Sequence, residues 1–230
     1  MSRVDRKGFT LVELLLAMAF ISVLLLAIAM TVIQISHIYN RGITLKEVNQ
    51  VGRTMSDELE RGIAASESFS ILPADKRYIV ESWGGRLCLG RTSYIWNYGK
   101  QLAAGDANVS KYTTTNDQIR LVKVPDVGAN YCSGAANFQR INPVGAEELL
   151  KTGDRTLALH QFKIESGTNA KDAATGQQLY TLTFAIGTSD FAALSNDTLS
   201  CRPPNEQGSD LAYCSVQQFK LVLRAGNKVN

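Results

Sequence analysis

The hydrophobic and polar positions of this chain change pattern twice. From Leu14 to Ile33 there are twenty residues without a charge, a proline or a glycine, and Ser22 and Thr31 are the polar ones. At about 1.5 Å per residue this run makes about 30 Å of helix, the thickness of a bilayer's hydrocarbon core. Further on the apolar or small residues thin to a stripe, Leu45, Val48, Gly52, Met55, Leu59 and Ile63, at spacings of three and four. That is the period of an amphipathic helix. Together the two patterns predict one helix of roughly 60 residues from Phe9, about 90 Å long, ending near Ser66 to Ser68 ahead of Pro73. Gly42 lies where it would leave a membrane, and a softened turn is expected there. No compact domain encloses such a rod. Its first half must meet lipid or other chains, and its second half the chain's own sheet.

Beyond Pro73 the pattern shortens to β-strand length. Expected strands are Arg77–Ser82, Arg86–Gly90, Ser93–Tyr98, Gln118–Val124, Thr156–Glu165, Leu179–Gly187 and Val216–Arg224. Two alternate cleanly, through Tyr180, Leu182, Phe184 and Ile186 and through Phe219, Leu221 and Leu223. Leu157 and Leu159 have odd parity but Phe162 and Ile164 even, so a bulge near His160 or burial on both faces is expected. Gly84-Gly85 and Ser166–Gly176 read as hairpin connections and Gly145–Lys151 as a short helical turn. The fold class is therefore α+β. A long helix, membrane-spanning over 9–38 and amphipathic over 39–68, packs on an antiparallel β-rich globular domain over 69–230, and residues 1–8 precede it.

The start of the chain narrows the choice further. Arg3, Arg6 and Lys7 precede the apolar run and favour a cytoplasmic N-terminus. A secretory signal has a shorter apolar region and a small-residue exit, whereas this run continues through Ile35 and Ile38. Glu13 stands between Val12 and Leu14, where an ionised side chain is costly unless paired. Capping of the helix N-terminus is one use for it; pairing with a newly made α-amino group at Phe9 is another.

At Lys7-Gly8-Phe9-Thr10-Leu11-Val12-Glu13-Leu14 and the apolar helix behind it, the sequence resembles the type IV pilin and pseudopilin family. The resemblance covers about a tenth of the chain. It implies a prepilin peptidase that cuts after Gly8 and methylates Phe9, and a Glu13 that pairs with the Phe9 amine of a neighbouring subunit during assembly. It also implies other pilin subunits, an inner-membrane assembly platform and, before assembly, membrane lipid as partners. The globular domain would then lie outside the cytoplasm, and on the cell surface once assembled. Ser22 and Met30 stand where many pilins carry a helix-loosening glycine or proline. The size of the domain resembles that of minor pilins or minor pseudopilins.

Four cysteines, Cys88, Cys132, Cys201 and Cys214, allow three disulfide connectivities. Cys201 and Cys214 flank the longest loop, Asn196–Asp210, and a bridge there would contribute about 3 kcal/mol. Cys88 and Cys132 would then form the second. A loop closed in this way resembles the C-terminal loop of many pilins. Reduced thiols and metal ligation are the alternatives, although there is no CxxC pair and neither histidine lies near a cysteine.

Composition changes little. The net charge of +3 falls to near +1 once Arg3, Asp5, Arg6 and Lys7 are removed, so charge gives no reason to expect nucleic-acid binding. Phosphate-loop, GxGxxG, GxSxG and HExxH motifs are absent, and the two histidines, His37 and His160, form no triad. No catalytic residue, metal ligand or cofactor is expected. The carboxylate pairs Asp57-Glu58 and Glu147-Glu148 read as solvated surface. Trp83, Tyr94, Trp96 and Tyr98 lie near Arg86, Arg91 and Lys100, a mixture that can stack nucleic acid. Tyr94, Trp96 and Tyr98 share one strand face, however, and read as core or subunit contact. The expected function is a filament subunit. The alternatives are a membrane-anchored extracytoplasmic binding domain, for adhesion or DNA, and a minor pseudopilin of type II secretion.

Overall fold

The computed structural model describes residues 9–72, 75–150 and 155–226, without the side chains of 168–170. The leader with Gly8, Pro73 and Lys151 lie outside these. Helix α1 runs unbroken from Leu11 to Ala64, 54 residues and about 80 Å, and is helical through Gly42. Ser22 and Thr31 donate their hydroxyls to the carbonyls of Met18 and Ala27. Every polar side chain inside the apolar run is thus satisfied within the helix, as a hydrocarbon surrounding requires. The helix ends at Ala65, whose N–H reaches the carbonyl of Arg61 at 3.0 Å.

The packed face differs from the expected stripe at its start. Leu45 is 41% exposed and Thr44 is fully buried, so the face is turned by one residue there; Ser56 joins it further on. Both hydroxyls donate back along the helix, Thr44 to Asn40 O and Ser56 to Gly52 O, which removes the cost of burying them.

The strands form two main sheets. One is antiparallel, with the spatial order β1 (Tyr78–Glu81), β2 (Gly84–Cys88), β3 (Thr92–Asn97), then Leu121–Pro125 and Glu147–Glu148. The Leu121–Pro125 strand is β5, because a two-residue strand, β4 (Lys111–Tyr112), precedes it and pairs in parallel with β6 (Arg140–Ile141); Glu147–Glu148 is β7. The other sheet is an antiparallel meander of β8 (Leu157–Lys171), β9 (Gln178–Thr188) and β10 (Val216–Ala225). Short helices α2 (Gly99–Ala104) and α3 (Asn130–Ser133) sit in the connections. α1 lies on β10 and β9.

One core serves all three layers. It joins Val48, Met55, Leu59 and Ile63 of α1 to Tyr94 and Trp96 of β3 and to Phe162, Tyr180 and Phe184 of the meander. The parity switch in β8 is a bulge between Leu159 and Gln161. It turns Leu157, Leu159, Phe162 and Ile164 all into this core. Tyr94 and Trp96 are fully buried and Tyr98 is half-buried, so the aromatic stripe is core.

Three expectations change. Gly84 and Gly85 lie inside β2, and Ser82-Trp83 makes the turn. A Cβ at Gly85 would stand 2.4 Å from Trp96 Cζ2, so the glycine makes room for the indole. Glu147-Glu148 is a strand and not a helical turn, because it pairs with Val122 and Lys123. β8 extends to Lys171, so the loop is shorter than Ser166–Gly176.

Candidate functional site

The N-terminal residues come together as a capping box. Thr10 is the N-cap; its backbone N–H donates to Glu13 Oε2 at 2.9 Å and its hydroxyl to the same oxygen at 2.8 Å. Glu13 N–H returns a bond to Thr10 Oγ1 at 3.3 Å. Such a box satisfies donors that the first helical turn leaves open. Phe9, Thr10 and Glu13 are exposed, as is every residue from Phe9 to Tyr39. The Phe9 nitrogen is a peptide amide in this chain and carries no charge.

The four cysteines are paired as Cys88–Cys132 and Cys201–Cys214. The first ties β2 to α3. The second closes a loop that is ordered from within. Arg202 Nε donates to Leu194 O and Nη1 to Gln207 O, while Ser209 Oγ donates to Arg202 O. Ala193, Leu194 and Cys214 form a small core of their own beneath it.

This loop stands beside α1 where the exposed half ends. Pro204, Ser209, Asp210 and Leu211 face His37, Ile38 and Arg41 across a cavity of about 420 Å³. Arg155, which the sequence pattern does not single out, clasps the junction. Its Nη2 donates to Asn40 Oδ1 at 3.0 Å and its backbone N–H to Glu47 Oε1 at 3.4 Å. Its guanidinium carbon lies 4.5 Å from the centre of the Tyr213 ring.

Of the carboxylates expected at the surface, Asp57 and Glu147 are exposed, but Glu58 and Glu148 do internal work. Glu58 accepts from Lys123 Nζ at 2.6 Å and Tyr94 Oη at 3.3 Å, latching α1 to β3 and β5. Burial, then the neighbouring Glu58, pushes the Tyr94 phenol well above its ordinary pKa. Glu148 accepts the backbone N–H groups of Leu121 at 2.7 Å and Arg120 at 3.1 Å. Burial raises its pKa, and those two N–H bonds oppose the rise. Neither role is visible in sequence, because each partner lies tens of residues away.

His160 flanks the bulge. Its Nε2 lies 3.2 Å from Thr188 O and its ring meets Phe191 edge-on at 5.8 Å. Nδ1 is buried without a hydrogen-bond partner among the described residues. Burial pulls the imidazole pKa down to about 4, against a smaller opposing effect of the Thr188 carbonyl. His160 is a packed neutral residue. Among the described residues no group of three or more His, Cys, Asp or Glu side chains is arranged to hold a metal ion.

α1 is long and apolar enough to cross a membrane near its N-terminal end. Comparison with protein-family models, with curated proteins and with solved structures finds no match.

Proposed function

We propose that this chain is a structural subunit, of the minor class, in a type IV pilus or a related filament. It would be cut by a prepilin peptidase after Gly8 and assembled through its N-terminal helix. The observation that carries this reading is a 54-residue helix that is exposed at every position from Leu11 to Tyr39 yet holds a carboxylate in its first turn. Lipid covers such a surface before assembly, and the helices of neighbouring subunits replace lipid afterwards. Moved into that apolar surrounding, Glu13 needs a cation, because an unpaired buried charge is strongly destabilising.

Cleavage supplies one. Hydrolysis after Gly8 converts the Phe9 amide into an ammonium group, and the ammonium of one subunit can take the Glu13 carboxylate of another. The bonds that Thr10 makes to Glu13 Oε2 hold that carboxylate at the helix start until then. Two disulfides support a domain exported to an oxidising compartment. The ATPase that drives assembly would be a separate protein.

Intact-mass measurement and N-terminal sequencing of protein from its native membrane, without reductant, test the reading. The expected product lacks residues 1–8, carries a methyl group on Phe9 and lacks four thiol protons. A chain beginning at Met1 would overturn it. Glu13→Ala should insert into the membrane as the wild type does and be depleted from sheared filaments; equal incorporation would sink the charge pairing.

A further inference from the structure

A second candidate site takes no residue from α1 or from the meander. Between the β1–β2 hairpin and the segment from Cys132 to Phe138 is a cavity of about 620 Å³. Arg86 of β2 lines it. Its guanidinium carbon stands 3.8 Å from the centre of the Phe138 ring, and Phe138 stacks in turn on Trp83 at 5.5 Å. The stack fixes the guanidinium plane, and the Cys88–Cys132 bridge fixes the segment that carries Phe138.

The guanidinium has almost nothing to bond to. Nε and Nη1 are both buried without a hydrogen-bond partner among the described residues. A guanidinium offers a carboxylate two edges, Nε with Nη2 and Nη1 with Nη2. One unpartnered N–H therefore stands on each edge. Buried donors left unbonded cost free energy, so their retention beside a cavity needs a reason. Glu81 also lines the cavity and acts on Arg86 through space, but is itself exposed and makes no ion pair with it among the described residues. Lys76 lines the same cavity, exposed, and Ile71, Tyr78 and Ile79 supply apolar wall.

We propose that this cavity binds a carboxylate carried on an apolar body, with Arg86 taking the carboxylate through one guanidinium edge. Lys76 adds a second positive charge, and the Ile71, Tyr78 and Ile79 side chains cover the apolar part. The site is independent of the filament reading, since none of its residues belongs to α1. The ligand is either a small free acid or the C-terminal carboxylate of a polypeptide, and the two differ in what lies beyond the first apolar group.

Thermal unfolding of the full-length chain in detergent, at pH 7 and fixed ionic strength, tests this with benzoate, benzamide, inorganic phosphate and N-acetylphenylalanine. Benzoate should raise the melting temperature to a plateau, because a ligand of the folded state stabilises it by mass action; benzamide should not. Arg86→Lys keeps the charge and loses the fork, and should raise the half-saturating benzoate concentration at least about tenfold. Lys76→Gln, an exposed change that leaves the fold alone, should raise it about two- to fivefold. N-acetylphenylalanine acting below benzoate would point to a polypeptide end, and the reverse to a free acid. No plateau with any carboxylate would overturn the proposal, as would benzamide matching benzoate. Phosphate matching benzoate would remove the apolar part of the recognition, and an unaltered response in Lys76→Gln the role of that charge. Should Arg86→Lys fail to fold, the benzamide and Lys76→Gln comparisons still decide.

Discussion

The two halves of α1 share one backbone and one set of hydrogen bonds, yet they solve opposite problems. From Leu11 to Tyr39 apolar side chains point in every direction and all are exposed. From Thr44 to Ile63 a stripe is buried on β9 and β10, and the remaining faces are mostly polar. The second half is held by its own domain. The first half is exposed along its whole length and packs on none of the described residues of its own domain. Helix propensity does not separate them, for both are rich in helix formers. Circumferential distribution of apolar residues does.

The sharpest way to break this comparison is to make the same deletion in each half. Leu59 is fully buried, and Leu59→Ala should cost about 3 kcal/mol of domain stability from lost transfer energy and the cavity left behind. Leu24→Ala, at 46% exposure, should leave urea unfolding of the detergent-solubilised chain unchanged. Equal losses would mean that the halves are not distinct.

The boundary between them can be moved by cutting the staple beside it. Cys201→Ser with Cys214→Ser should lose about 3 kcal/mol on the loop-entropy account. Faster proteolysis within Pro203–Gly208, an exposed stretch, is the expected readout, and an unchanged cleavage rate would contradict the assigned role of the bridge.

Acid should loosen the sheets under the packed half. His160 has a folded pKa of about 4 against an ordinary 6.5, so between these values the unfolded chain binds the extra proton. The stabilisation is present in full above about pH 6.5 and is lost as pH falls toward 4, by about 1–3 kcal/mol. His160→Gln should flatten that slope; a slope retained in the variant would place its origin elsewhere. The smallest effect is expected at the latch. Glu58→Gln weakens the Lys123 bond at a partly exposed pair and should cost about 1 kcal/mol or less, measured in the same urea titration.

Local rhythm made much of this fold legible in the sequence. The parity change around His160 pointed to a bulge or to burial on both faces, and the alternation in β3 to a core or subunit-contact stripe, because both depend on side-chain direction along a single strand. The structure has the bulge and the core. What escaped reading depends on distant partners. Gly85 is set by Trp96 across the hairpin, Glu148 by the backbone of β5, and Thr44 in place of Leu45 by how α1 rolls on the meander. The candidate site divides the same way. Phe9, Thr10 and Glu13 lie within one helical turn and could be picked out together, whereas Arg155 reaches Asn40 and Tyr213 from far along the chain. The Arg86 cavity was hidden for the same reason, since Phe138, which stacks on Arg86, lies far along the chain from it.

Gly52 belongs to an early part of the chain and Phe219 to a late one, and they fit so closely that an added Cβ would stand 2.0 Å from the ring. The same seam continues to the N–H of Gly226, which bonds the carbonyl of Ser66 at 2.9 Å. A ribosome therefore delivers the amphipathic stripe long before the surface that covers it. Until β10 has emerged, Val48, Met55 and Leu59 have only part of their shelter, and a nascent chain halted before Val216 would present them to any chaperone or protease nearby. The domain closes like a clasp on its own beginning, and its quality is tested by the last strand to arrive.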